Sequence, residues 1–142
     1  MSEALYQSLV LSHSRAPLHA GRPLVFDAQG AGENRMCGDS VEVFFTQVDG
    51  AWRHEAQGCA ILTASADLLC AAFSGKDMAE ITPLGEQFEQ LVKTGEINPA
   101  LGDLNALASI AQYPARFRCA TLPWNAVSNA LAGIASGGHE HV

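Results

Sequence analysis

Basic residues are scarce in this chain of 142 residues: eight Lys and Arg stand against fifteen Asp and Glu, a net charge of −7. That balance excludes nucleic acid or an anionic membrane surface as the main partner. Long apolar runs are missing as well. The richest, Ala60 to Phe73, is interrupted by Asp67 and falls short of the ~18 residues a membrane span needs. The opening MSEALYQSLV has no basic stretch leading into an apolar one. No secretory signal is therefore expected, and a cytoplasmic protein is. Four cysteines are too few for a disulfide scaffold and read as thiols. No G-x-S-x-G, P-loop, H-E-x-x-H or G-x-G-x-x-G pattern occurs, so nothing favours a hydrolase or a nucleotide enzyme.

What is present suits a folded domain. Hydrophobic residues make up 48% of the chain, too many for a disordered one. Glu3 to His13 carries Leu5, Leu9 and Val10 at helical spacing and ends before Pro17 and Gly21. Arg22 to Ala28, with Leu24, Val25 and Phe26, reads as a first strand, and the glycine-rich passage after it as a loop. Ser40 to Val48 alternates with the period of a half-buried strand, and Asp49-Gly50 predicts a hairpin returning through Ala51 to Gln57.

Helical patterns follow. Ile61, Ser65, Leu68, Leu69 and Ala72 form one stripe, ended by Gly75. Asp77 and Glu80 resemble a capping box, and Pro83 predicts a turn before a helix from Pro83 to Lys93. Thr94 to Gly102 reads as a loop, then a short helix carries Leu104, Leu107, Ala108 and Ala111. The last stripe is Ala120, Trp124, Val127, Leu131 and Ile134. Strands first and helices afterwards predict an α+β fold, a three-stranded antiparallel meander packed by about five helices. One domain is expected over residues 1–135, with a flexible tail over 136–142.

On that frame Cys37 enters the second strand with Asp39 two residues later. Cys59 and Cys119 start helices, and Pro123 suits a helix's first turn. A helix N-terminus favours thiolate, the form that attacks and binds metal, and Arg116 and Arg118 push the same way. Three thiolates and the Asp39 carboxylate would complete a zinc site or an asymmetric iron–sulfur site. The alternative is that isolated cysteines fill space as small hydrophobes. Cys70 fits that description: it lies about 16 Å along the helix from Cys59 and cannot share a metal with it. Among the histidines, His54 is expected at the surface or on a strand edge, and His139 and His141 form a weak metal-scavenging pair in the tail.

Four separated motifs then carry a specific resemblance. They are N-R-M-C-G-D (Asn34 to Asp39), G-C-A-I-L-T-A-S-A (Gly58 to Ala66), Gly75-Lys76, and P-A-R-F-R-C-A-T-L-P-W (Pro114 to Trp124). In this order, and with the opening H-S-R-A-P-L-H-A-G, they resemble the U-type iron–sulfur cluster assembly proteins from about Tyr6 to Leu131. The chain looks like the SufU branch. Its segment between Cys59 and Cys119 is longer than in IscU-type proteins, and the LPPVK stretch and histidine before the third cysteine are absent. Arg35 stands where the family has a proline, Leu62 where it has a serine, and Pro123 is unusual in the third motif.

The resemblance implies a metal site of Cys37, Asp39, Cys59 and Cys119 holding Zn²⁺ or a [2Fe–2S] cluster. It also implies a SufS-like cysteine desulfurase as partner, with downstream iron–sulfur scaffold or carrier proteins. A monomer or weak homodimer is expected. Two roles share the site. One is a scaffold on which a labile cluster forms. The other is a zinc-dependent sulfurtransferase whose Cys37, on a flexible loop, leaves the metal and accepts persulfide sulfur. Arg118 reads either as a group that steers anionic sulfur or as a solvent-exposed arginine. A third reading is a purely structural zinc domain; Asp39 argues against it, since such sites close with Cys and His.

Overall fold

Three antiparallel strands, β1 (Ala28–Asn34), β2 (Asp39–Thr46) and β3 (Ala51–Gln57), form a meander in the order β1-β2-β3. This computed structural model describes residues 3–140, with side chains described over 4–134. The helices are α1 (Glu3–Arg15), α2 (Ala60–Phe73), α3 (Met78–Thr94) and α4 (Phe117–Glu140). Two 3₁₀ segments, Pro99–Gln112 and Pro114–Arg116, precede α4. The α+β meander is as expected, and the described helices are four with two 3₁₀ segments in place of about five. The expected tail over 136–142, with His139 and His141, lies outside the residues whose side chains are described.

The first strand is displaced from its expected place. Arg22 to Ala28 gives way to the glycine-rich Ala28–Asn34. Here glycine is required by what lies against it. A Cβ on Gly30 would fall 2.0 Å from the Ala126 carbonyl oxygen, and one on Gly32 3.0 Å from that of Leu122. Helix α4 therefore rests on the bare backbone of β1, which a side chain would prevent. The apolar residues before it stay outside the sheet: Leu24 is fully exposed, while Phe26 packs 5.1 Å from Phe44. Arg22 lays its guanidinium over both rings, at 5.1 and 5.0 Å, and straps this segment down.

Strands β2 and β3 follow the predicted pattern, and Gly50 makes the hairpin turn with φ 68°. Their shared face buries Val41, Val43, Phe45 and Trp52, with Phe45 and Trp52 paired in register. Against this layer α2 buries Leu62, Leu68, Leu69 and Phe73. Helix α3 begins on the expected capping box and runs straight through Pro83, where a break was expected. That proline removes one backbone bond, at a cost of about 3 kcal/mol. Burial of Ile81, Phe88, Leu91 and Val92, at about 1.5–3 kcal/mol each, outweighs it. Gly85 leaves room for Trp124 of α4: a Cβ there would meet the indole ring at 2.2 Å. The expected loop at Thr94 to Gly102 is shorter than predicted, because the first 3₁₀ segment starts at Pro99.

One buried carboxylate ties the first helix to this core. Asp67 of α2 accepts from the Leu18 and His19 N–H groups at 3.0 and 2.7 Å. It also bonds His13 Nδ1 at 2.5 Å and His54 Nε2 at 3.1 Å. His54, expected at the surface or on a strand edge, lies on the edge strand β3 but is 1% exposed. Its alternation with Trp52 turns it inward, where Nε2 meets Asp67 while Nδ1 is buried with no hydrogen-bond partner among the described residues. Among the described residues no helix is long and apolar enough to cross a membrane.

Candidate metal centre

Strand register builds the centre. Asn34 pairs with Asp39 across the first hairpin, and Ser40 pairs with Gln57. The start of β2 therefore lies beside the end of β3, and Asp39 faces the residues that lead into α2. Cys59 is the N-cap of α2, with extended φ −75° and ψ 168°. Cys119, in the first turn of α4, reaches the same point because α4 lies across β1. One ligand atom each from Asp39, Cys59 and Cys119 lie within 4.8 Å of one another. Asp39 and Cys119 are buried, and Cys59 is half-buried.

Gly58 makes the convergence possible. A Cβ there would stand 2.2 Å from Asp39 Oδ1, so the carboxylate occupies space that any other residue would fill. Cys119 Sγ donates to Asp39 Oδ2 at 3.1 Å. Burial, above all, pushes the Cys119 thiol up to about 12, with its hydrogen bonds to Asp39 and Cys59 and their charges adding to the rise. This corrects the expected thiolate-favouring environment at Cys119. Desolvation and a neighbouring carboxylate outweigh the helix terminus, and Arg116 and Arg118 are exposed. A divalent cation reverses that balance, since it supplies the positive charge that the cluster's own surroundings lack.

Cys37 is placed apart from these three. It is exposed, on the turn between β1 and β2, and is not among the clustered ligand atoms. Its N–H donates to the Asn34 carbonyl at 3.2 Å, and the Asn34 amide lies 3.6 Å from its sulfur. Cys70 is buried core, as expected, and burial raises its thiol pKa strongly. Two sulfurs and a carboxylate oxygen, with a third thiol two residues from that carboxylate, form a donor set that fits Zn²⁺. Among the described residues no histidine belongs to this cluster. Sequence reasoning missed the role of Gly58 as the space for Asp39 and the inward turn of His54. The G-C pair ahead of a helix was the available signal for the first.

Comparison with known proteins finds relatives over most of the chain. Residues 5–120 match the family model described as the NifU-like N terminal domain. The chain is 36% identical to the iron–sulfur cluster assembly scaffold protein IscU of Streptococcus pyogenes serotype M1, covering 95% of this chain and 87% of that one. It is 30% identical to the zinc-dependent sulfurtransferase SufU of Bacillus subtilis strain 168, covering 92% and 91%. A solved structure of a SUF-system cluster assembly scaffold protein from Fervidobacterium islandicum AW-1 superimposes with a TM-score of 0.80. That pair is 26% identical and covers 92% of this chain and 99% of the other.

Proposed function

The chain belongs to the NifU-like N-terminal domain family, and on that premise we propose that it serves iron–sulfur cluster assembly by accepting persulfide sulfur from a cysteine desulfurase. The proposed site is Cys37, Asp39, Cys59 and Cys119. One observation carries the reading: three donors are gathered on fixed elements, while the fourth donor, the Cys37 thiol, stands on an exposed turn. A site built only for stability would hold all its donors equally. This one has a donor that can travel.

The bond changes are simple. Cys37, as thiolate, attacks the outer sulfur of the desulfurase persulfide. A sulfur–sulfur bond forms at Cys37, the one in the desulfurase breaks, and the desulfurase thiolate leaves. No net oxidation occurs. Zn²⁺, when bound by Asp39, Cys59 and Cys119, would supply the positive charge that keeps thiols ionised near neutral pH. Asp39 and Cys119 hold the buried side of the site, and the turn from Arg35 to Gly38 presents Cys37 outward. Arg118, exposed next to Cys119, is proposed to steer anionic sulfur. The rest of the proposal is a cytoplasmic, monomeric or weakly dimeric protein with its domain over 1–135, passing sulfur to downstream scaffold or carrier proteins.

A scaffold role is the second reading, supported by the 36% identity to a relative named as a scaffold. Desulfurase turnover with cysteine and a mild reductant, iron excluded and zinc-loaded protein added, separates the two. The proposal expects strong stimulation, lost in Cys37→Ser. No stimulation, with a cluster forming once iron is supplied, would overturn it in favour of the scaffold.

A further inference from the structure

Helix α4 carries an irregularity close to the site. In a regular helix the carbonyl of Cys119 would accept from the N–H four residues on. That residue is Pro123, which has none. The first turn is joined to the 3₁₀ segment before it, where the Phe117 N–H donates to the Pro114 carbonyl. The turn that presents Cys119 therefore lacks one backbone bond, the one Pro123 cannot donate.

A bond from another helix meets it there. Ser65 of α2 is fully buried, and its hydroxyl donates to the Ala120 carbonyl at 2.5 Å, across 55 residues of sequence. A serine within a helix ordinarily bonds back to its own helix or faces solvent. This one does neither. Ser65 lies six residues beyond Cys59, about 9 Å along α2. The two cysteines of the cluster thus hang from helices that this single bond joins, one residue from Cys119.

We propose that Ser65 is a positioning residue of the metal site, clamping α4 to α2 in the turn where Pro123 removes a backbone bond and so holding Cys119 against Cys59 and Asp39. The proposal rests on the reading of these residues as metal ligands. Loss of the hydroxyl leaves the three donors in place but lets Cys119 move relative to the others. Metal affinity then falls by about 10- to 100-fold, as for other groups that orient ligands.

The test is a competition titration of Zn²⁺ and Co²⁺ against a chromophoric chelator. It uses the full chain, Ser65→Ala, Val127→Ala and the double variant Ser65→Ala/Pro123→Ala, with thermal unfolding of each. Val127 is buried in α4 away from the ligands and controls for loss of core packing. Ser65→Ala is expected to lose the stated affinity and to shift its Co²⁺–thiolate absorption, while Val127→Ala binds as the unaltered chain does. Pro123→Ala restores the missing N–H and recovers part of the loss. Tight binding by the unaltered chain with unchanged binding by Ser65→Ala would overturn the proposal, as would an equal loss in Val127→Ala. A loss that Pro123→Ala leaves untouched would overturn the clamp. Failure of the unaltered chain to bind either metal would remove the site reading itself.

Discussion

Asp67 illustrates how much one side chain carries in this molecule. Burial alone would raise its carboxyl, but hydrogen bonds from His54, His13 and the backbone of His19 and Leu18 outweigh that and hold it well below the ordinary carboxylate range. A lowered folded-state value means the stabilisation is fully present above the unfolded value near 4 and is lost as pH falls through the folded one. Asp67→Asn is expected to cost about 1.5–3 kcal/mol or more at pH 7, since hydrogen bonds to a charged group contribute about that much each. Urea unfolding should show the gap between the two proteins narrowing below about pH 4. A gap independent of pH would contradict this. The clustered residues Asp39, Cys59 and Cys119 were legible from short motifs, because chemistry confines cysteine and aspartate to few roles. The Asp67 network was not, since its members are far apart in sequence and only the fold unites them.

Helices and strands were legible where one face is buried by one neighbour. The alternation of β2 and β3, the Asp77–Glu80 cap and the apolar stripe of α4 all describe such faces. Strand β1 was misplaced because its partner is a helix backbone. Apolar Leu24, Val25 and Phe26 looked like strand residues, while glycines that suggested a loop were the ones α4 needs. The consequence can be measured. Gly30→Ala places a methyl group against the Ala126 carbonyl and is expected to cost about 3 kcal/mol or more. Gly133→Ala, in the same helix with nothing within 4 Å, should be neutral or gain up to about 1 kcal/mol. Equal effects from the two in denaturant unfolding would sink the close-approach account. Pro83 teaches the converse: a strong local signal yields when four apolar side chains of the same helix are buried.

For the molecule as a whole, three distant segments meet at one end of the sheet. The hairpin turn and start of β2, the entry to α2 and the first turn of α4 bring Asp39, Cys59 and Cys119 together, and leave Cys37 outside on its turn. Spacing along the chain could not reveal that division. Only the difference between two helix ends and a hairpin turn pointed to it. The account's central claim is that this difference assigns the work: Cys37 takes the sulfur while the other donors hold still. The direct measurement is a single turnover of the zinc-loaded chain with a cysteine desulfurase and cysteine, without reductant, followed by mass mapping of every cysteine. The account predicts one added sulfur atom on Cys37, with Cys59 and Cys119 unmodified. Sulfur on Cys59 or Cys119, with Cys37 untouched, would contradict it.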